Sequence, residues 1–260
     1  MKINNQKELI NLIEKEFPLA SQESWDFGGF SFISKKQEIK KVLICLDIDK
    51  KVILKAIKDD VDLILSHHPF CFASTKEEAI KIDSSKEELF NLVESNNIST
   101  YSLHTSFDSN IKGTDYYLLK KLNLLDNIVK RYKFNSVVNY SLSFKSLVDL
   151  IKEKTSSNYF ISNWNDHHNK IIKNVYFAPG AGDVYEFMKH NKELNCDLLV
   201  TSDMKWNEQL VLENLGLKFL IISHQIEEVF IDGMNDFFAE KEVDNIEIIL
   251  EYKETFLIKF

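Results

Sequence analysis

Two of the chain's seven histidines, His67 and His68, stand side by side in DLILSHHPF, where an apolar run stops at Ser66 and Pro69 closes the turn. Two more histidines are each followed four residues later by a carboxylate: His104 by Asp108 in HTSFD, and His224 by Glu228 in SHQIEE. Imidazoles mixed with carboxylates form the ligand set that suits Zn, Fe, Mn, Ni or Co. The three cysteines, Cys45, Cys71 and Cys196, are too scattered for a thiolate site or a disulfide framework and read as reduced thiols. One tetrahedral ion needs four donors. Here there are at least five, including adjacent histidines able to serve different ions and a carboxylate able to bridge. That inventory suits two divalent ions at a separation of roughly 3.5 to 4 Å, with water completing the coordination. Such a pair acidifies a shared water, which favours metal-assisted hydrolysis.

An HHP triplet alone more simply ends a strand, with one ring packed and one solvated. Position changes that reading. KKVLICLDIDKKVILKAIKDDVDLILSHHPF reads as a strand (Val42 to Leu46), an amphipathic helix through Ile57 and a buried strand (Val61 to Leu65) ending at the histidine pair. KNVYFAPGAGDVYEFMKHNKELNCDLLVTSDMKW repeats the order: strand Val175 to Ala178, helix near Val184 to His190, strand Asp197 to Val200. Matching VDLILSHH to CDLLVTSD sets Asp62 beside Asp197, and His67 and His68 beside Ser202 and Asp203. Each copy continues through a helix (Lys86 to Ser95; Trp206 to Glu213) to a strand that delivers a histidine with its carboxylate at plus four. The expected fold class is α/β: two related α/β repeats with mixed, largely parallel sheets around a shared metal cleft. The repeats are set at 1–125 and 164–260, with 126–163 as a connecting segment and the halves intertwined. In such sheets ligands collect beyond the carboxyl ends of the strands, where all four histidines fall.

The remaining residues bound the alternatives. A net charge of −8 and a pI near 5.5 give no general pull toward nucleic acid or anionic membranes. Nucleic-acid binding would have to rest on a local basic patch such as Lys120, Lys121, Lys130, Arg131 and Lys133. No run of about 18 apolar residues suggests a membrane span, and the N-terminus reads as an amphipathic helix rather than a signal peptide, so a cytoplasmic protein is expected. His167 and His168, in the polar stretch NWNDHHNK, read as solvated loop, and His190 as a surface helix position. The PGAGD turn between a strand and a helix either offers backbone N–H groups to a phosphate or is simply a tight turn of small residues.

Taken in order, SWDFGGF, SHHPF, HTSFD followed by GTD, PGAGD, VTSDMKW and SHQIEE resemble the motifs of the NIF-three-like family, whose members are often called GTP cyclohydrolase 1 type 2 homologues. The resemblance covers essentially the whole chain. It implies a dinuclear metal centre held by His67, His68, Asp108, His224 and Glu228, with Glu228 bridging. Asp108, shorter and matched across the repeat by Glu228, is expected to be terminal, and on the histidine-plus-four pattern Glu227 lies one residue off the ligand position. His104 matches a family histidine near the metals that is not a usual ligand, which makes it the candidate catalytic residue. The resemblance also implies a ring-shaped homo-oligomer, a homohexamer, acting on a small nucleotide-like or phosphorylated molecule. The chain departs from the family where Thr-Gly-Glu and a following histidine are replaced by Thr201, Ser202, Asp203 and Asn207. The alternative is a metal-binding scaffold or regulatory oligomer without turnover.

Overall fold

The computed structural model describes residues 1–36, 38–164 and 170–253; His167 and His168 lie outside the described residues. The chain forms two compact units, Met1–Asn110 with Phe230–Lys253, and Ile111–Val229. In the first unit, α1 (Gln6–Glu16) starts where the Asn5 side chain accepts the Glu8 amide at 3.0 Å, and it buries Leu9, Ile10 and Ile13. There follow β1 (Gly29–Phe32), β2 (Lys41–Cys45), α2 (Lys50–Lys58), β3 (Leu63–Ser66), α3 (Lys76–Ile82), α4 (Ser85–Ser95), β4 (Ser99–Ser102) and the one-turn helix α5 (His104–Asp108).

The second unit contains α6 (Thr114–Lys121), β5 (Ile128–Arg131), β6 (Ser136–Ser143), α7 (Phe144–Lys154), β7 (Phe160–Ser162), β8 (Ile171–Ala178), α8 (Val184–Leu194), β9 (Leu198–Thr201), α9 (Trp206–Asn214) and β10 (Phe219–Ile222), then a short 3-10 helix, His224–Glu228. The chain returns to the first unit with α10 (Val229–Glu240) and β11 (Glu247–Glu251). Among the described residues no helix is long and apolar enough to cross a membrane.

Both sheets are mixed. The first has the order β1-β4-β3-β2-β11, parallel throughout except for β1. The second has the order β5-β6-β8-β9-β10-β7, with β8-β9-β10 parallel and the flanking pairs antiparallel. β3 and β9 are buried at every position, as short apolar runs in parallel sheets are. The segment 126–163 is part of this second sheet: it supplies β5 and β6 on one side of β8 and β7 at the opposite edge. Only the first half of β6 carries a buried run, so its apolar signal is diluted by Asn139, Ser141 and Ser143.

The two parallel cores repeat one local device. Asp62, at the start of β3, accepts the amides of Lys40 and Lys41 at 2.8 and 3.1 Å; Asp197, at the start of β9, accepts those of Lys173 and Asn174 at 2.8 and 3.2 Å. Each aspartate thereby pairs amides at or beside the preceding strand of its own sheet. Cys45 pairs with Ser66 in the first sheet and Ala178 with Thr201 in the second, the register that aligning SHH with TSD requires. The parallel breaks by one residue at the third strand. Ser66 pairs with Ser102 but Thr201 with Ile221, so His104 is the second residue past its pairing partner and His224 the third. Asp62→Ala and Asp197→Ala should each lower stability by about 1–3 kcal/mol, the cost of stranding amides bonded to a carboxylate. Urea unfolding checks this, with Glu38→Ala, at an exposed carboxylate nearby, as a control expected to change little.

Candidate metal centre

In the first unit, ladder hydrogen bonds continue past the ends of the strands and fix the histidine backbones. The amides of His67 and His68 donate to Cys45 and Leu46 carbonyls at 3.1 and 3.0 Å, and the His104 amide donates to the His67 carbonyl at 2.9 Å. The Ser66 hydroxyl donates to the His68 carbonyl at 2.7 Å, tightening the turn. His67 is fully buried, with its ring against Phe107 and Phe230. One ring nitrogen from each of His67, His68 and His104 lies within 4.8 Å of the other two. Asp108, one helical turn beyond His104 on α5, places Oδ1 3.6 Å from His67 Nε2. Three imidazoles and a carboxylate at such separations are a donor set that fits a divalent transition metal.

Two of these rings are held by aspartates. His68 Nδ1 lies 2.8 Å from Asp47 Oδ1, just beyond β2, and His104 Nδ1 lies 2.9 Å from Asp26 Oδ1. Burial alone would raise both carboxyl pKa values. Hydrogen bonds and charge outweigh it, from His104 and Thr105 at Asp26 and from His68 and Lys253 at Asp47, and hold each at about 2. An ionised carboxylate only accepts, so Nδ1 is the donor and the lone pair of a neutral ring sits on Nε2. Asp26 also takes the Thr105 amide at 3.0 Å and the Thr105 hydroxyl. Lys253 stands 3.5 Å from Asp47 and 3.6 Å from Asp49.

In the second unit His224 opens its 3-10 helix after the Ser223 hydroxyl accepts the Gln225 amide. Here too an aspartate sits on Nδ1, Asp203 Oδ2 at 2.7 Å. His224 Nε2 is 2.7 Å from Glu227 Oε2, whereas Glu228 Oε2 faces the Ser156 hydroxyl at 3.4 Å and Gln225 Nε2 at 3.3 Å. Both glutamates are buried. Burial depresses the His224 pKa, but Glu227 and Asp203 more than offset this and raise it to about 11. Asp203 is thus the imidazole's partner at the very position where the chain departs from Thr-Gly-Glu, and Ser202 is buried beside it.

The PGAGD turn serves Glu227. A Cβ on Gly180, whose φ is +73°, would lie 2.1 Å from Glu227 Oε1. The Gly180 carbonyl accepts the Ser202 and Asp203 amides at 3.1 and 2.9 Å, and the Gly182 amide donates to Thr201 Oγ1 at 3.0 Å. The first turn of α8 is capped by the Asp183 carboxylate, which takes the Tyr185 and Glu186 amides. These bonds favour the tight-turn reading over a phosphate cradle. Two further expectations are adjusted. His190 is half-buried, stacked on Tyr132 at 3.7 Å and bonded to the Tyr176 hydroxyl at 2.8 Å, rather than a bare surface position. Arg131 of the basic patch is committed to buried Asp115 at 2.7 Å.

A fold of paired mixed α/β sheets with histidine and carboxylate donors at the strand ends defines a class that comparison makes specific. Residues 4–255 match the Duf34/NIF3 (NGG1p interacting factor 3) family, and the chain belongs to it. A protein of Mycoplasmopsis pulmonis named GTP cyclohydrolase 1 type 2 homolog is 30% identical over 223 residues, 85% of this chain and 87% of that one. The fold is that of a hypothetical protein of Staphylococcus aureus (TM-score 0.83, 20% identity, 98% and 99% of the two chains). It is also that of a Bacillus cereus protein related to NIF3 (TM-score 0.82, 16% identity, 100% of both chains).

Asp26, Asp47, Asp203 and Glu227 are the residues that sequence reasoning left without a role. For the three aspartates the signal was present, since each follows or precedes an apolar strand by a few residues. Gly180→Ala should destabilise the second unit by about 1–3 kcal/mol, because the added methyl meets both a left-handed backbone and Glu227; thermal unfolding measures it. Asp26→Asn should lower stability at pH 7 by about 2 kcal/mol. A carboxylate depressed from 3.8 to about 2 contributes fully above its unfolded pKa and loses that contribution as pH falls toward 2. The gap between the urea midpoints of wild type and Asp26→Asn in chelated protein should therefore narrow from pH 5 to pH 2.

Proposed function

We propose that this chain is a metal-dependent hydrolase of a small nucleotide-like or phosphorylated molecule, working as a homo-oligomer and holding two divalent transition-metal ions per chain on His67, His68, Asp108, His224 and Glu228. The observation that carries this reading is the donor set of the first unit. Three imidazoles with ring nitrogens within 4.8 Å of one another, and a carboxylate 3.6 Å from one of them, stand at the carboxyl ends of parallel strands. When bound, the ions supply Lewis acidity and an activated water. The chain's own residues do the positioning: Asp47 and Asp203 orient His68 and His224, and Asp26 fixes His104 next to the donors as the candidate to carry a proton on Nε2. Phe107 and Phe230 cover His67 and exclude water from its far side. The names of the curated relatives support a nucleotide-like substrate.

Protein purified without added metal and then loaded should hold two ions per chain, and hydrolysis in a screen of nucleotides and phosphate esters should rise with loading. A stoichiometry of one or zero sinks the dinuclear reading; two ions with no turnover on any substrate favours the scaffold. The glutamate register is read separately. With Glu228 bridging, Glu228→Gln drops metal content to one ion or fewer while Glu227→Gln keeps two. The opposite result assigns the ligand to Glu227, whose carboxylate touches His224 Nε2.

A further inference from the structure

We propose that Trp25 and Phe72 form a stacking subsite that receives a planar heteroaromatic ring and sets it against His104. This rests on the hydrolase reading above for the reaction, though not for the binding.

Trp25 and Asp26 are neighbours with opposite fates: the Asp26 side chain is 1% exposed, and Trp25 is 56% exposed. The indole does not owe its exposure to a loose backbone. The Glu23 amide donates to Thr105 Oγ1 at 2.9 Å, the Asp26 amide to the Glu23 carbonyl at 3.0 Å, and the Phe27 amide to Asp26 Oδ1 at 2.7 Å. The segment is therefore pinned on both sides of Trp25 while its ring stays in water.

Phe72, in the loop after the histidine pair, is 53% exposed and contrasts with Phe70, which is buried against Phe90. Both exposed rings converge on one imidazole. Trp25 lies 5.7 Å from the His104 ring at an interplanar angle of 75°, and Phe72 lies 5.8 Å from it at 80°. Phe27 braces Phe72 edge-on at 6.5 Å. With Nδ1 of His104 held by Asp26, the atom it can offer a ligand is Nε2.

Two exposed aromatic rings around a polar nitrogen suit a flat ring with hydrogen-bonding edge atoms. They suit an aliphatic chain less, since it offers no π face, and a bare phosphate less still. His104 is also in ring contact with His67 and His68, so a ring seated here lies beside the metal donors of the same unit. Trp25 and Phe72 would thus select substrates by their ring.

The test compares adenosine and guanosine 5′-monophosphates with ribose 5-phosphate, which keeps sugar and phosphate and lacks the ring. Calorimetry on the full chain should show the nucleotides binding at least tenfold more tightly than ribose 5-phosphate, with or without chelator. Trp25→Ala and Phe72→Ala should each weaken nucleotide binding by about tenfold or more, and Trp25→Phe by less, with metal content unchanged. In a Trp206→Phe background, which removes another exposed indole, nucleotide should quench the emission that Trp25→Phe abolishes. Ring-selective binding in a protein that takes up no metal when metal is supplied refutes the hydrolase reading and leaves the subsite standing. Equal affinity for nucleotide and ribose 5-phosphate, in protein holding two ions per chain, overturns the subsite alone. Dissociation of an oligomer by Trp25→Ala or Phe72→Ala in sedimentation also overturns it, since the face would then be an interface between copies.

Discussion

An aspartate on the Nδ1 edge of a strand-end histidine is the interaction on which the candidate site depends. It occurs at His68, His104 and His224, at 2.8, 2.9 and 2.7 Å. A free imidazole exchanges between two tautomers and rotates about two side-chain bonds, so it offers a lone pair in no fixed direction. A carboxylate on one nitrogen removes that freedom and leaves the other nitrogen to accept a cation or a proton. The carboxylates must be ionised to do this, and at Asp26 and Asp47 the hydrogen bonds overcome the burial that opposes ionisation.

The scaffold makes that interaction possible by bringing loops of adjacent parallel strands to one edge. In the first unit Asp47 follows β2, the histidine pair follows β3 and His104 follows β4, three neighbouring strands in one sheet. In the second unit Asp203 follows β9 and His224 follows β10, again neighbours. One aspartate at the base of each parallel core, Asp62 or Asp197, ties the opposite ends of the same strands. The candidate ligands thus occupy one edge, and residues that fix register occupy the other.

Much of this was legible in the chain because each half signals itself. Short apolar runs flanked by capped amphipathic helices mark β2, β3 and β9 within a residue or two, and mark only the second half of β8, which starts four residues earlier at Ile171. The equivalence of SHH with TSD follows from matching VDLILSHH to CDLLVTSD, and the observed registers agree. The antiparallel strands of 126–163 were not legible, since β5 and β6 are half exposed and interrupted by polar residues, which leaves no clear period. His190 was misjudged because stacking on Tyr132 depends on a tertiary contact across distant sequence. The Glu227 contact was missed for a different reason. Residues three and four positions after His224 both return to its side of a tight helix, so spacing alone does not distinguish Glu227 from Glu228.

The central claim, that aspartates on Nδ1 fix the tautomer and direction of these imidazoles, is most directly tested by long-range proton–nitrogen NMR of His68 and His104 in metal-free protein at alkaline pH, with assignments from His68→Gln and His104→Gln. Both rings should carry their proton on Nδ1 and show an unprotonated Nε2. A proton on Nε2 of either ring, or rapid exchange between tautomers, would contradict the account.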